Sequence, residues 1–67
     1  MVYKGIISAV DRDQRTAEVI IPEKDNIVTP MLPAAREIAA DDLKVDNRCV
    51  VALFTENLAD GAIISIL

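Results

Sequence analysis

Short runs of β-branched and other apolar residues recur along this chain, and polar turn residues or prolines separate them. β-Branched residues fit the pleated surface of a sheet, whereas Asp, Asn, Gly and Pro favour turns. The turns recur at roughly the 8–12-residue spacing that is typical of small β-barrels and sandwiches. The pattern predicts five strands, at residues 2–10, 15–21, 27–29, 48–54 and 62–67.

Residues 34–43 interrupt this pattern. They are rich in Ala, Arg, Glu and Leu, which favour a helix, and Pro33 precedes them. The segment is short for an independent helix, so we expect a short helix or an ordered loop between the third and fourth strands. Five short strands with such an insertion are the layout of the OB-fold. The expected fold is therefore all-β, with a single OB-like barrel domain over residues 1–67.

Alternation within the strands predicts which side chains face the core. Side chains at every second position of a strand share one face of the sheet. Cys49 alternates with Val51 and Leu53, so we expect it to be a small buried hydrophobic residue and not a reactive thiol. The predicted inner face comprises Ala17, Val19, Ile21, Cys49, Val51, Leu53, Ile64 and Ile66.

The chain lacks the residue patterns that usually carry catalysis. It has no histidine, so the commonest general base is absent and Cys49 has no histidine partner to form a thiolate. Ser8 and Ser65 lie in apolar runs and not in a nucleophile elbow. Asp11 and Asp13 are interpreted as a solvated turn, because the glycine and distal glutamate of a calcium loop are missing. We expect no enzymatic activity, no cofactor and no metal site.

The charge of the chain argues against nucleic-acid binding. The net charge is −4, and the basic residues are dispersed along the sequence. OB-folds that bind single strands stack bases on aromatic side chains in a basic groove, and Tyr3 and Phe54 are the only aromatic residues here. No apolar run reaches the roughly 20 residues that span a bilayer, and no signal peptide is apparent. We therefore expect no nucleic-acid partner and no stable membrane insertion.

The last two predicted strands are apolar on both faces. Hydrophobic residues make up 52% of the chain, which is more than one small core easily hides. A strand with one face in water should alternate with polar residues. Either residues 34–43 cover the second face through Ile38 and Leu43, or another protein chain covers it. The candidate protein interface comprises Val50, Ala52, Phe54, Ile63 and Leu67.

Several segments carry a family resemblance. Residues 4–11 combine a glycine, a hydrophobic pair and an aspartate, and residues 16–19, 31–33, 45–54 and 58–67 add further matching segments. Together they resemble the OB-fold barrel domain of phage baseplate assembly protein V and related tail-spike proteins. Residues 45–54 are similar to that family's Val-Gly-Asp-x-Val-x-Val-x-Phe segment. Asp46 stands where the family has glycine, and Asn47 stands where it has aspartate.

The resemblance implies a non-catalytic structural component of a phage or prophage tail or baseplate. It implies a bare barrel without the family's β-helical needle, acting as an adaptor, hub or cap. In the spike family that this chain resembles, three copies of the barrel surround the tail axis. The resemblance therefore implies a trimer that contacts other tail or baseplate proteins. Such a protein resides in the host cytoplasm during assembly and then in the virion or tail-like particle. Two alternatives stay open: an OB-fold that binds single-stranded nucleic acid, and a small oligomeric barrel of another assembly, such as a microcompartment shell vertex.

Overall fold

The computed structural model describes residues 1–67 as one six-stranded, mostly antiparallel sheet without an α-helix. The prediction of an all-β chain is confirmed. The strands are β1 (Val2–Asp11), β2 (Thr16–Ile21), β3 (Ile27–Val28), β4 (Leu32–Pro33), β5 (Arg48–Leu53) and β6 (Gly61–Ile66). They follow the order β3-β2-β1-β5-β6 across the sheet; β3 pairs with the end of β2, and β4 pairs with its start. Two short 3-10 turns, at Pro22–Lys24 and Ala40–Asp42, complete the secondary structure.

The segment between β4 and β5 is an ordered loop and not a helix. Of residues 34–43, only Ala40–Asp42 form a 3-10 turn. Ala39 precedes this turn and provides no side-chain cap. A segment this short gains too little from its own hydrogen bonds to nucleate an α-helix. The alternative of an ordered loop at this position is therefore confirmed.

The two ends of the sheet approach each other without forming a continuous ladder. Ala34, which directly follows β4, forms a single parallel bridge with Ile63 in β6. Beside it, the Ala35 N–H donates a hydrogen bond of 2.8 Å to the Ile63 carbonyl. One bridge does not close a sheet into a barrel, so the predicted closure is not established by the hydrogen-bond pattern.

Strand β1 changes its partner near Gly5. Residues 2–6 pair with β5, whereas Ile6 and the residues after it pair with β2. A Cβ atom at Gly5 would lie 2.2 Å from Cγ1 of Val19 and 3.1 Å from the carbonyl oxygen of Ile20. Glycine is therefore required at this position because only a residue without a side chain allows β1 to pack so closely on β2.

A bulge in β6 overturns part of the predicted core. Val50 pairs with Ser65 but Val51 pairs with Ile63, so Ile64 is an extra residue in the ladder. The extra residue inverts the alternation that the sequence predicts. Ile64 is 44% exposed, so its predicted inward position is wrong, and Ile63 is fully buried instead.

The remaining predicted core positions agree with the structure. Ile66 is half-buried against the core, and the other six predicted residues are buried. The loop between β4 and β5 adds Ile38 and Leu43 to the same core. The buried hydrophobic residues are Ile7, Ala17, Val19, Ile21, Leu32, Ile38, Leu43, Cys49, Val51, Leu53 and Ile63.

Thr29 provides the hydrogen-bond partners of the Val19 backbone where prolines interrupt the third predicted strand. Its N–H donates to the Val19 carbonyl at 2.8 Å, and its hydroxyl accepts the Val19 N–H at 3.1 Å. The same hydroxyl donates to the Pro30 carbonyl at 2.9 Å. Thr29 is buried, so without the hydroxyl the Val19 N–H would lose its partner away from water.

We predict that Gly5→Ala destabilises the chain by about 1–3 kcal/mol, because the added methyl group overlaps Val19. Val19→Ala in the same chain removes the overlapping atom, so the two losses should sum to more than the loss in the double variant. Urea denaturation of the four proteins measures this coupling. Strictly additive losses would contradict the proposed close approach.

We predict that Thr29→Val lowers the free energy of unfolding by about 1–3 kcal/mol, because it leaves the buried Val19 N–H without a hydrogen-bond acceptor. Thr29→Ser is the matched control, since it keeps the hydroxyl and removes one methyl group. It should cost less than Thr29→Val in the same denaturation experiment. A larger loss in Thr29→Ser would show that the methyl group matters more than the hydrogen bond.

Candidate protein-binding surface

Four of the five predicted interface residues retain accessible surface. Val50 and Ala52 are half-buried on the outer side of β5, while Phe54 is 68% exposed and Leu67 is 65% exposed. Ile63 has no exposed surface and lies in the core, so its predicted place in the interface is wrong. The cause is the bulge at Ile64, which turns the preceding side chain inward.

Strand pairing builds an apolar surface around Ala52. In the ladders Val2 lies opposite Ala52 on one side, and Ala62 lies opposite it on the other. Val50 and Phe54 occupy the alternate positions before and after Ala52 along the chain. We call this surface the outer apolar patch; it comprises Val2, Val50, Ala52, Phe54 and Ala62.

Val2 belongs to this patch although the sequence analysis did not place it there. It is 63% exposed and pairs directly with Ala52. The two residues are far apart in sequence, so strand alternation could predict the face of each strand but not which strands are neighbours. Leu67 is separated from the patch, because its N–H donates to the Arg48 carbonyl at the other end of β5.

The loop between β4 and β5 does not cover the outer apolar patch. Ile38 is 6% exposed and Leu43 is fully buried, and both contribute to the inner core. The large exposures of Val2 and Phe54 show that this part of the sheet stays open in the single chain. The alternative in which residues 34–43 hide the second face is therefore wrong for these residues.

Arg15 fixes the conformation of that loop. Its guanidinium donates hydrogen bonds to the carbonyl oxygens of Ala35, at 3.0 Å, and Ile38. Its own carbonyl accepts the Ala34 N–H at 2.9 Å. Sequence reasoning assigned Arg15 only to the start of β2, because nothing local indicates a partner about 20 residues further along.

The polar side chains of the sheet are engaged in local structure. The Ser8 hydroxyl donates to the Glu18 carbonyl and the Ser65 hydroxyl to the Ile66 carbonyl, each at 3.4 Å. The Asp11 carboxylate accepts the Gln14 N–H at 3.2 Å and so stabilises the first hairpin turn. No three His, Cys, Asp or Glu side chains converge in a way that could hold a metal ion. Every buried side-chain nitrogen and oxygen has a hydrogen-bond partner.

Cys49 is buried among aliphatic side chains and has no charged neighbour that would stabilise a thiolate. Burial raises the pKa of its thiol from an ordinary value of 9.0 to about 11. At neutral pH the side chain is therefore a protonated, inaccessible thiol that contributes to packing.

Comparisons with protein-family models, with curated proteins and with solved structures give no match to this chain. The helical elements are 3-10 turns of three residues each, and none of them could span a bilayer.

We predict that the Cys49 thiol does not react with Ellman's reagent in the native protein at neutral pH and reacts fully in denaturant. Between pH 9 and pH 11 the unfolded thiol loses its proton before the native one does, so the stability that the buried thiol contributes falls as pH rises. The free energy of unfolding should fall over this range by on the order of 2 kcal/mol more in the wild type than in Cys49→Ala. Parallel pH profiles of the two proteins would contradict the buried assignment.

Proposed function

We propose that this chain is a non-catalytic protein–protein assembly module. The observation that carries the proposal is the outer apolar patch, where Val2 and Phe54 are 63% and 68% exposed near Ala52. Exposed apolar residues that cluster on one face of a sheet in this way are typical of a protein contact. A small domain that lacks a disulfide also gains stability from a partner subunit.

For the fold we propose a small OB-like barrel. Its support is that the residues directly after β4 lie beside β6. Ala34 forms a bridge with Ile63, and the Ala35 N–H donates a hydrogen bond of 2.8 Å to the Ile63 carbonyl. All the longer strands also contribute side chains to one continuous core. On this proposal β3 and β4 count as one interrupted strand, and an extended parallel contact of this strand with β6 would complete a five-stranded barrel.

The assembly we propose is a phage or prophage tail or baseplate, and the family resemblance is what supports it. Asp46 stands where the family has glycine, and it adopts a left-handed conformation with φ of 75°, which glycine accommodates most readily. Gly5, in the opening segment that carries the resemblance, lies at a position where a side chain would clash. On this proposal three copies associate around the tail axis and contact other tail or baseplate proteins.

Single-stranded nucleic acid is a poorer fit to the surface. Phe54 is the one strongly exposed aromatic residue, and Tyr3 is half-buried with the Lys24 ammonium 5.3 Å from its ring centre. Stacking of successive bases needs several exposed rings along a basic groove. Fluorescence anisotropy with labelled single strands at low salt tests this alternative, and saturable binding there would favour it.

We predict that the wild-type chain self-associates and that Phe54→Asp abolishes this, because a charge in an apolar contact is left without a partner. Sedimentation equilibrium measures the mass, with a trimer as the expected species. Val28→Asp is the matched control, since Val28 is an exposed apolar residue on β3, away from the patch.

The variants should both keep the circular dichroism spectrum of the wild type, and only Phe54→Asp should reduce the mass. A wild-type chain that stays monomeric at millimolar concentration would rule out self-association. Mass spectrometry of purified tail-like particles from the host then tests the tail assignment separately, and absence from such particles would contradict it.

A further inference from the structure

A shallow groove runs beside β6 on the side away from β5. Its volume is about 250 Å³. One wall is the second half of β6 and the other is the loop between β4 and β5. The groove adjoins the outer apolar patch at one point, because its lining residue Ser65 lies opposite Val50 in the ladder. The lining residues are Glu37, Ile38, Asp42, Ile64, Ser65 and Ile66.

The floor of this groove includes a free strand edge. On one side β6 pairs with β5 along its length, whereas on the other side its strand contact is the single bridge between Ile63 and Ala34. Residues 64–66 follow that bridge and have no strand partner on their second side. An edge of this kind can pair with an additional extended segment through main-chain hydrogen bonds.

The opposite wall is held in place before anything binds. Arg15 donates hydrogen bonds to the carbonyls of Ala35 and Ile38, and the Ile38 side chain is anchored in the core with 6% of its surface exposed. Asn47 Nδ2 donates to the Asp42 carbonyl at 3.0 Å and fixes the far end of the wall. A preformed wall reduces the entropy cost of binding.

The charge of the groove indicates what would bind there. Glu37 and Asp42 are exposed carboxylates in its lining, and no basic residue lines it. Ile64, which is 44% exposed and belongs to the strand edge, adds apolar surface to the same lining. A second copy of the chain paired symmetrically at this edge would bring the same carboxylates together, which is unfavourable.

From these features we infer that the β6 groove binds an extended, basic segment of a different protein as an added strand. The segment would form main-chain hydrogen bonds with residues 64–66 and would place lysine or arginine side chains against Glu37 and Asp42. Its apolar residues would cover Ile64. This inference holds whether or not the chain self-associates through the outer apolar patch.

Titration of the ¹⁵N-labelled chain with an end-capped synthetic peptide of alternating lysine and valine tests the inference. Saturable shifts are expected for the amides of residues 37–42 and 64–66. The double variant Glu37→Gln/Asp42→Asn should bind about tenfold more weakly, since it removes both charge contacts. Asp13→Asn/Glu56→Gln is the matched control, because it removes the same charge from residues outside the groove and should bind like the wild type.

Two further peptides separate strand addition from simple charge attraction. A peptide with glutamate in place of lysine should not bind, and a lysine peptide with alternate backbone nitrogens methylated should lose binding because it cannot pair with the edge. Equal binding of the methylated peptide, shifts outside the groove, or no saturable shift at millimolar peptide would overturn the inference. Concentration-dependent shifts of residues 37–42 without peptide would also overturn it, because they would identify a second copy as the occupant of the groove; Ser65 is left out of this criterion, since it also lies opposite Val50 of the outer apolar patch.

Discussion

At Gly5 the backbone of β1 lies against Val19, and there β1 passes from its pairing with β5 to its pairing with β2. This contact brings both halves of the sheet around one set of buried side chains. Cys49 lies near the same point, with its sulfur 3.7 Å from where a Cβ of Gly5 would be. A side chain at this position would separate β1 from β2, and the core that all the longer strands share would open.

The small size of that core explains why apolar surface remains outside it. A domain of this length buries only about 60% of the surface that its unfolded chain exposes. The inner face takes Val51 and Ile63, while Val2, Ala52 and Phe54 remain on the outer side or beyond the strand end. We therefore propose two chemically different contacts on the same sheet: self-association through the outer apolar patch, and binding of a basic extended partner in the acidic β6 groove.

Local sequence patterns predicted the four longer strands, but not the separate short strand β4 nor which strands are neighbours. Alternation predicted the buried residues of β2 and β5, because the bulges in their ladders place the extra residue in the partner strands β1 and β6. It failed at Ile63 and Ile64, because a bulge depends on the partner strand and leaves no periodic signal. The contribution of Val2 to the patch and the reach of Arg15 to Ile38 depend on contacts between distant segments, which a single sequence does not encode locally.

We propose that the outer apolar patch is a contact surface between copies of the chain. Methyl NMR spectra recorded with a soluble nitroxide, from dilute to millimolar protein, measure directly whether this surface becomes covered. We predict that the methyl signals of Val2, Val50 and Ala52 are attenuated in dilute solution and recover as concentration rises, while those of Val28 stay attenuated throughout. Attenuation of the patch methyl groups that is the same at every concentration would contradict it.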